Sequence, residues 1–168
     1  LMKLRDTFSD RIKGVCRCFI MNFHKIIAAV FGIGYLPKGG GSAAAAVYVL
    51  LWILIPSRSS FVEISLAILI LVLGTWSASQ VEKIWGVDSN KIVVDEVAGM
   101  MISLLFIPVK IKYAVFAFIL FRFFDIAKPL GIRRSEKFPS GWGVMADDVL
   151  SGIYTWALLK IFIVMKLL

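Results

Sequence analysis

The segment 121–148 combines charge with apolar surroundings in a way that few folds tolerate. It lies between two apolar runs and carries ionisable residues of both signs: Arg122, Asp125, Lys128, Arg133, Arg134, Asp147 and Asp148. An ionisable side chain at membrane depth costs about 2 kcal/mol or more, so such groups normally face a protected polar cavity. We therefore interpret 121–148 as one half of an active site for a charged ligand. Asp95 and Glu96, on the preceding apolar segment, form the other half.

The composition favours a single domain embedded in a membrane. Of the 168 residues, 60% are hydrophobic, whereas a soluble domain is usually about 45–50% apolar. We divide the chain into a basic N-terminal arm, residues 1–27, and a membrane-embedded domain, residues 28–168. An amphipathic helix on the membrane surface is one interpretation of the arm. The net charge of +8 does not indicate nucleic-acid binding, because no soluble basic face accompanies it.

Five apolar segments predict an all-α bundle with about five membrane segments, and four to six are compatible with the pattern. They cover residues 43–55, 61–79, 92–108, 113–124 and 144–168, and some are too short to span a bilayer alone and are expected to be re-entrant. With the N-terminus in the cytoplasm, the inner loops 1–41, 80–96 and 122–147 hold 14 of the 19 lysines and arginines, in agreement with the positive-inside rule. This topology also brings the Gly-rich loop 31–42 and both halves of the predicted site to the cytoplasmic face.

Five of the eleven acidic residues lie at segment boundaries on this face: Asp95, Glu96, Asp125, Asp147 and Asp148. Such a cluster repels itself unless a cation compensates it. Carboxylates select hard ions, and Mg²⁺ is the usual choice where phosphate is also bound. Helix capping without a metal is the alternative, because acidic side chains are stabilising near helix N-termini.

Basic residues of the same stretch provide partners for an anionic group. Arg122, Lys128, Arg133 and Arg134 can hold phosphate oxygens, the arginines by forked hydrogen bonds and the lysine as a point charge. Gly41 and Ser42 end the Gly-rich loop, where backbone N–H groups before a helix can bind an anion. The alternatives are that the arginines anchor the protein to anionic lipid, that Lys128 forms a simple ion pair with Asp125, and that the Gly-rich loop is a plain connecting turn. Together, the acids, the cations and the loop favour phosphoryl transfer.

Three blocks of the sequence resemble the signature of a known family. VVDEVAGM at 93–100, FRFFDIAKPLGIRR at 121–134 and GWGVMADDVLSGIY at 141–154 are similar to the bacterial phosphatidylglycerophosphatase A family, and FGIGYLP with GGGS resembles a fourth block. The matching positions are Asp95, Glu96, Arg122, Asp125, Lys128, Pro129, Arg133, Asp147 and Asp148. The glycine loop departs from the pattern, because Gly40, Gly41 and Ser42 stand where the family has Pro-Gly-Thr, and alanines replace a second Gly-Ser.

The resemblance implies a Mg²⁺-dependent lipid phosphatase of the bacterial cytoplasmic (inner) membrane, with its active site on the cytoplasmic side. Its substrate would be phosphatidylglycerophosphate, hydrolysed to phosphatidylglycerol and phosphate in glycerophospholipid biosynthesis. The expected partners are this substrate and membrane lipids. The sequence leaves open whether water or an aspartate attacks, whether other lipid phosphates are accepted, and the oligomeric state.

A small ion or solute transporter, with the acidic cluster as its ion site, is the alternative from another class. It predicts acids deep within several spans, whereas these acids gather at one face. Two other enzyme classes fit less well. A CDP-alcohol transferase needs a different spaced set of aspartates, and a histidine-dependent lipid phosphatase needs two histidines where the chain has only His24.

Overall fold

The computed structural model describes residues 18–55, 59–86, 89–129, 132 and 141–168. Across these ranges the chain forms helices and turns and no strand, which confirms the all-α prediction. The described ranges contain six α-helices and a 3₁₀ turn at Ile33–Tyr35; the helices are α1 (Cys18–Ala28), α2 (Gly40–Leu54), α3 (Ser60–Trp85), α4 (Val94–Ser103), α5 (Ile111–Ala127) and α6 (Gly141–Val164).

One helix of the described ranges, α3, is long and apolar enough to cross a membrane. Its 26 residues correspond to about 39 Å at 1.5 Å per residue. Large apolar side chains lie on its outer face, where Ile68, Val72 and Trp76 are each more than half exposed. Helix α6 has 24 residues but includes two aspartates and a lysine. The set of about five membrane segments therefore stays a prediction.

Several helix boundaries differ from those predicted. Helix α2 begins at Gly40, so residues 40–42, predicted as loop, form its first turn. Helix α3 continues to Trp85, into the stretch 80–91 that was predicted as a polar loop. A side-chain hydrogen bond of 2.9 Å from Lys83 to Gln80 joins residues of its last polar turn. The basic loop 130–143 lies mostly outside the described residues, and its last three residues belong to α6.

The largest difference concerns α4, which covers only ten residues of the apolar run 92–108. Side chains from other helices bind the backbone where the chain reverses after it. Trp156 Nε1 donates to the carbonyl of Leu105 (2.9 Å), and Lys160 Nζ donates to the carbonyl of Phe106 (3.0 Å). The N–H of Phe106 donates to Glu63 Oε2 (3.2 Å). Because these partners satisfy the turn among apolar helices, α4 can end early.

Helix α4 lies at the centre of the bundle and contacts α2, α3, α5 and α6. Its contact with α6 is made backbone to backbone, since a Cβ on Gly152 would lie 2.4 Å from the carbonyl oxygen of Gly99. A Cβ on Gly99 would in turn lie 2.6 Å from the carbonyl oxygen of Asp148. Ser103 Oγ donates to the Gly99 carbonyl at 2.9 Å. This close crossing brings the acidic start of α4 against the acidic turn of α6.

Helix α1 packs against α3 at the end of the basic N-terminal arm. His24 is 2% exposed, and its Nδ1 lies 3.1 Å from Ser77 Oγ. The N–H of Val93, just before α4, donates to the carbonyl of Ala28 (2.9 Å). Residues 1–17 of the arm lie outside the described ranges, so the division at residue 27 stays a prediction.

Candidate active site

A polar cavity of about 450 Å³ opens at one end of the bundle. The beginnings of α2 and α4, the end of α5 and the second turn of α6 surround it. The structure brings together these predicted site residues along its wall: Gly41, Ser42, Asp95, Glu96, Arg122, Asp125, Lys128, Asp147 and Asp148. Arg133 and Arg134, also predicted to bind phosphate, lie outside the described residues. The two halves inferred from the sequence therefore share one cavity.

Three carboxylates form the closest group in the cavity. Oxygen atoms of Asp95, Glu96 and Asp148 lie within 4.8 Å of one another. Asp95 is 7% exposed and Asp148 is 3% exposed. Carboxylates at this separation, removed from water, repel one another when ionised, so the group needs either protons or a cation.

The two acids of α4 show this electrostatic conflict directly. They lie in the first turn of a helix of ten residues, which is about 15 Å and too short to span a bilayer. Burial raises the pKa of Asp95 well above its ordinary value, and the nearby carboxylates of Glu96 and Asp148 raise it further. Burial also raises the pKa of Glu96, although a hydrogen bond with Asp95 opposes the shift.

An unpartnered oxygen supports a metal ion in this group. Within the described ranges, Oε2 of Glu96 is buried and accepts no hydrogen bond. Burying a charged oxygen without a partner is costly, so buried charges are normally paired or coordinate metals. A donor set made only of carboxylate oxygens suits hard divalent ions such as Mg²⁺. The residues present therefore fit the predicted ion.

Asp125 and Asp147 are held differently from the other three acids. Asp125 Oδ2 forms a 2.5 Å salt bridge with Arg122 Nη1, and Asp147 Oδ2 forms one with Lys128 Nζ. Asp125 is also close enough to Asp148 for the two carboxylates to interact electrostatically. These two acids connect the basic residues to the carboxylate group, and their role as metal ligands stays a prediction.

Lys128 has a different partner from the one its spacing suggests. Its spacing in the sequence suggests an ion pair with Asp125, three residues earlier on the same helix face. In the structure α5 ends at Ala127, and Lys128 adopts a left-handed conformation (φ 43°) as the C-cap. Because its backbone no longer follows the helix, Lys128 binds Asp147 on α6, and Arg122 takes the position beside Asp125.

The Gly-rich loop approaches the acids closely despite its departure from the family pattern. A Cβ on Gly41 would lie 1.7 Å from Oε1 of Glu96, so any larger residue at this position requires the carboxylate to move. Gly39 precedes α2 with φ 76° and provides no side-chain cap. The first turn of α2, which includes Ser42, thus forms the wall of the cavity beside Glu96.

Three polar residues of the cavity wall were not predicted as site residues. Lys38 belongs to the Gly-rich loop, and Ser89 and Asn90 precede α4. A signal existed for Lys38, because it is the only cation of the loop 31–42, whereas the anion site predicted there depends on backbone N–H groups. Ser89 and Asn90 carry no comparable signal.

Comparisons with known proteins agree with the geometry. The family model described as phosphatidylglycerophosphatase A matches residues 26–163. A Bacteroides thetaiotaomicron protein, provisionally named a phosphatidylinositol-3-phosphatase, is 39% identical over 144 residues, which are 81% of this chain and 91% of that protein. Phosphatidylglycerophosphatase A of Haemophilus influenzae is 36% identical over 139 residues (80% of this chain, 85% of that protein). That of Escherichia coli is 27% identical over 162 residues (95% and 91%). No solved structure matches the chain.

Proposed function

The chain belongs to the phosphatidylglycerophosphatase A family, and from this premise we propose that it hydrolyses phosphatidylglycerophosphate to phosphatidylglycerol and phosphate. Family membership and the two relatives of that name support a phosphatase in phosphatidylglycerol synthesis. One observation carries the proposal: a buried carboxylate group and two paired cations, drawn from three helices, line the same cavity.

Mg²⁺ is the cofactor we propose for this cavity. Asp95, Glu96 and Asp148 would hold it, and the buried Oε2 of Glu96, which accepts no hydrogen bond from the described residues, supports this choice. Asp125 and Asp147 stand next to this group as further candidate ligands. When bound, the ion would polarise the phosphoryl oxygens and lower the pKa of a bound water.

The basic side chains would bind and orient the phosphomonoester. Phosphoryl transfer depends mostly on positioning and on electrostatic stabilisation, and both cations are already fixed by salt bridges. Arg122 is held by Asp125 and Lys128 by Asp147, so neither long side chain must be ordered when substrate binds. Gly41 and Ser42 would add backbone N–H donors from the first turn of α2. In the reaction the ester P–O bond breaks, water adds to phosphorus, and a proton passes to the leaving glycerol oxygen.

We further propose that the bundle lies in the bacterial inner membrane with the cavity on the cytoplasmic side. Besides α3, the outer face of α5 supports a lipid environment, since Val115, Ile119, Phe123 and Ile126 are all more than half exposed. Large apolar side chains in such a continuous pattern typify a membrane contact. The head group would enter the cavity from the inner leaflet while the acyl chains stay in the bilayer.

A second substrate merits testing because of one specific comparison. The Bacteroides thetaiotaomicron relative, at 39% identity, is named for activity on phosphatidylinositol 3-phosphate. That lipid and phosphatidylglycerophosphate both carry a phosphomonoester beyond a phosphodiester, so the same acids and cations could act on either. The transporter alternative is not favoured by the family match; ion flux through proteoliposomes without phosphate release would support it.

A vesicle assay tests the proposal. Protein in vesicles is given phosphatidylglycerophosphate, phosphatidylinositol 3-phosphate or phosphatidic acid, with Mg²⁺ or with excess chelator, and phosphate release is measured. We expect the highest kcat/KM for phosphatidylglycerophosphate and loss of activity in chelator. Asp148→Asn should lower kcat by about 100-fold or more, as for removal of a group that stabilises the transition state.

Glu63→Gln is the matched control. Glu63 lies in the first turn of α3 and does not line the cavity, and glutamine can still accept the hydrogen bond from the N–H of Phe106. Its activity should equal that of the wild type. Full activity in chelator would refute the metal, and a clear preference for the inositol lipid would refute the substrate assignment.

A further inference from the structure

The cations of the cavity are not equivalent. In the described part of the chain, three basic side chains line the wall: Lys38, Arg122 and Lys128. Arg122 and Lys128 each form a salt bridge with a site carboxylate. Lys38 forms no ion pair or hydrogen bond with any described residue, so its full charge is available to a ligand.

The position of Lys38 also differs from that of the other two. It is exposed, whereas the carboxylates of Asp95 and Asp148 are buried. Lys38 therefore stands at the opening of the cavity, and the carboxylate group forms its floor. A ligand bound at the floor therefore shares the cavity with Lys38, the exposed lysine of its wall.

The backbone that carries Lys38 is fixed to the rest of the site. A Cβ on Gly34, in the 3₁₀ turn just before it, would lie 2.1 Å from the carbonyl oxygen of Lys91. The N–H of Leu36 donates to the carbonyl of Ile33 at 3.0 Å. On the other side, Gly39 leads directly into α2, whose first turn contacts Glu96. Because both flanks are anchored, the backbone of Lys38 is held at the cavity wall, and its flexible side chain can reach a ligand there.

We propose that Lys38 binds the phosphodiester of the lipid substrate and thereby selects lipids that carry a phosphodiester as well as a phosphomonoester. This inference rests on the proposed function. In such a lipid the terminal phosphomonoester must reach the floor of the cavity, and the phosphodiester, nearer the acyl chains, remains at the opening. A lysine acts there as a point charge that needs no fixed geometry. Phosphatidic acid has no second phosphate and gains nothing from this contact.

Kinetic comparison of two lipids tests the proposal. Lys38→Gln is assayed in mixed micelles at fixed ionic strength with phosphatidylglycerophosphate and with phosphatidic acid. An ion pair near the surface changes affinity by roughly fivefold, so KM for phosphatidylglycerophosphate should rise about fivefold with kcat unchanged. The KM for phosphatidic acid should not change. If phosphatidic acid is not hydrolysed, its inhibition constant is measured instead and should likewise not change. Lys38→Arg should restore the wild-type ratio.

Lys91→Gln is the matched control. Lys91 is an exposed lysine on the segment that supports the same loop, but its Nζ lies over the rings of Trp85 (5.7 Å) and Tyr35 (5.9 Å) and does not line the cavity. This variant should keep both constants. An unchanged ratio in Lys38→Gln, or an equal rise for both lipids, overturns the inference while the proposed function stands. A wild-type protein that releases no phosphate from phosphatidylglycerophosphate overturns both.

Discussion

Replacement of Gly41 by alanine isolates the contribution of one carboxylate to the site. The new Cβ would lie 1.7 Å from Oε1 of Glu96 and 2.5 Å from its Cδ. Ordinary van der Waals contact begins at 3.4 Å, so the carboxylate must move by about 1.7 Å. Glu96 can do so by rotating its flexible side chain, and the helices need not separate. The variant therefore displaces Glu96 from Asp95 and Asp148 while the fold remains.

The expected effect is a loss of function without a loss of stability. A misplacement of about 1 Å in a catalytic site can cost 100-fold in rate, so kcat/KM for phosphate release should fall by about 100-fold. The Mg²⁺ concentration for half-maximal activity should rise by at least about tenfold, as when a ligand shell is disturbed. Alanine in place of glycine inside a helix contributes about 0.5–1 kcal/mol of stability, so Tm should stay constant or rise.

Gly39→Ala provides the contrast two residues away. A Cβ there meets nothing within 4 Å, but the backbone has φ 76°, which costs an L-residue about 1–2 kcal/mol. This variant should therefore lower Tm and leave the Mg²⁺ dependence unchanged. A Gly41→Ala protein with wild-type kcat and Mg²⁺ dependence would refute the contact between α2 and Glu96 as the structure describes it.

Two further substitutions test the packing and the charge pairing around the site. Gly152→Ala places a Cβ 2.4 Å from the carbonyl oxygen of Gly99. Because the two backbones must separate, we expect a loss of about 1–3 kcal/mol in the free energy of unfolding and lower activity. An unchanged Tm in thermal unfolding would contradict the contact. Lys128→Met removes the partner of Asp147 at a partly buried pair, which should cost about 1–2 kcal/mol, between the values for exposed and buried pairs. Lys128→Met should also raise KM in the phosphate-release assay, and Lys128→Arg should recover part of the lost stability and part of the lost affinity. If the methionine variant has the same Tm and KM as the wild type, the Lys128–Asp147 pair does not make this contribution.

The convergence of the acids could be predicted because it depends on features that the sequence shows directly. Asp95, Glu96, Asp147 and Asp148 stand near the starts of apolar segments, and Asp125 near the end of another. The distribution of lysine and arginine assigns these ends to one face. Every predicted site residue within the described ranges lines the cavity, although which of them bind metal or phosphate stays a prediction.

Other features could not be predicted, because they depend on residues far apart in the chain. The early end of α4 relies on hydrogen bonds from Glu63, Trp156 and Lys160, each more than 40 positions from its partner. The choice of Asp147 by Lys128 follows from the left-handed backbone of one residue after α5. Periodicity reports which face of a helix is apolar, but it contains no information on where a neighbouring helix offers a hydrogen bond.

The glycine contact between α4 and α6 limits how this enzyme could be adapted to other head groups. Where two main chains already touch, no side chain remains between them to be exchanged for a larger or smaller one. In this chain the distance between the acid-bearing helices is thus set by Gly99 and Gly152. We therefore expect differences in substrate preference to come from the rim of the cavity, where the loops that precede α2 and α4 carry exposed residues.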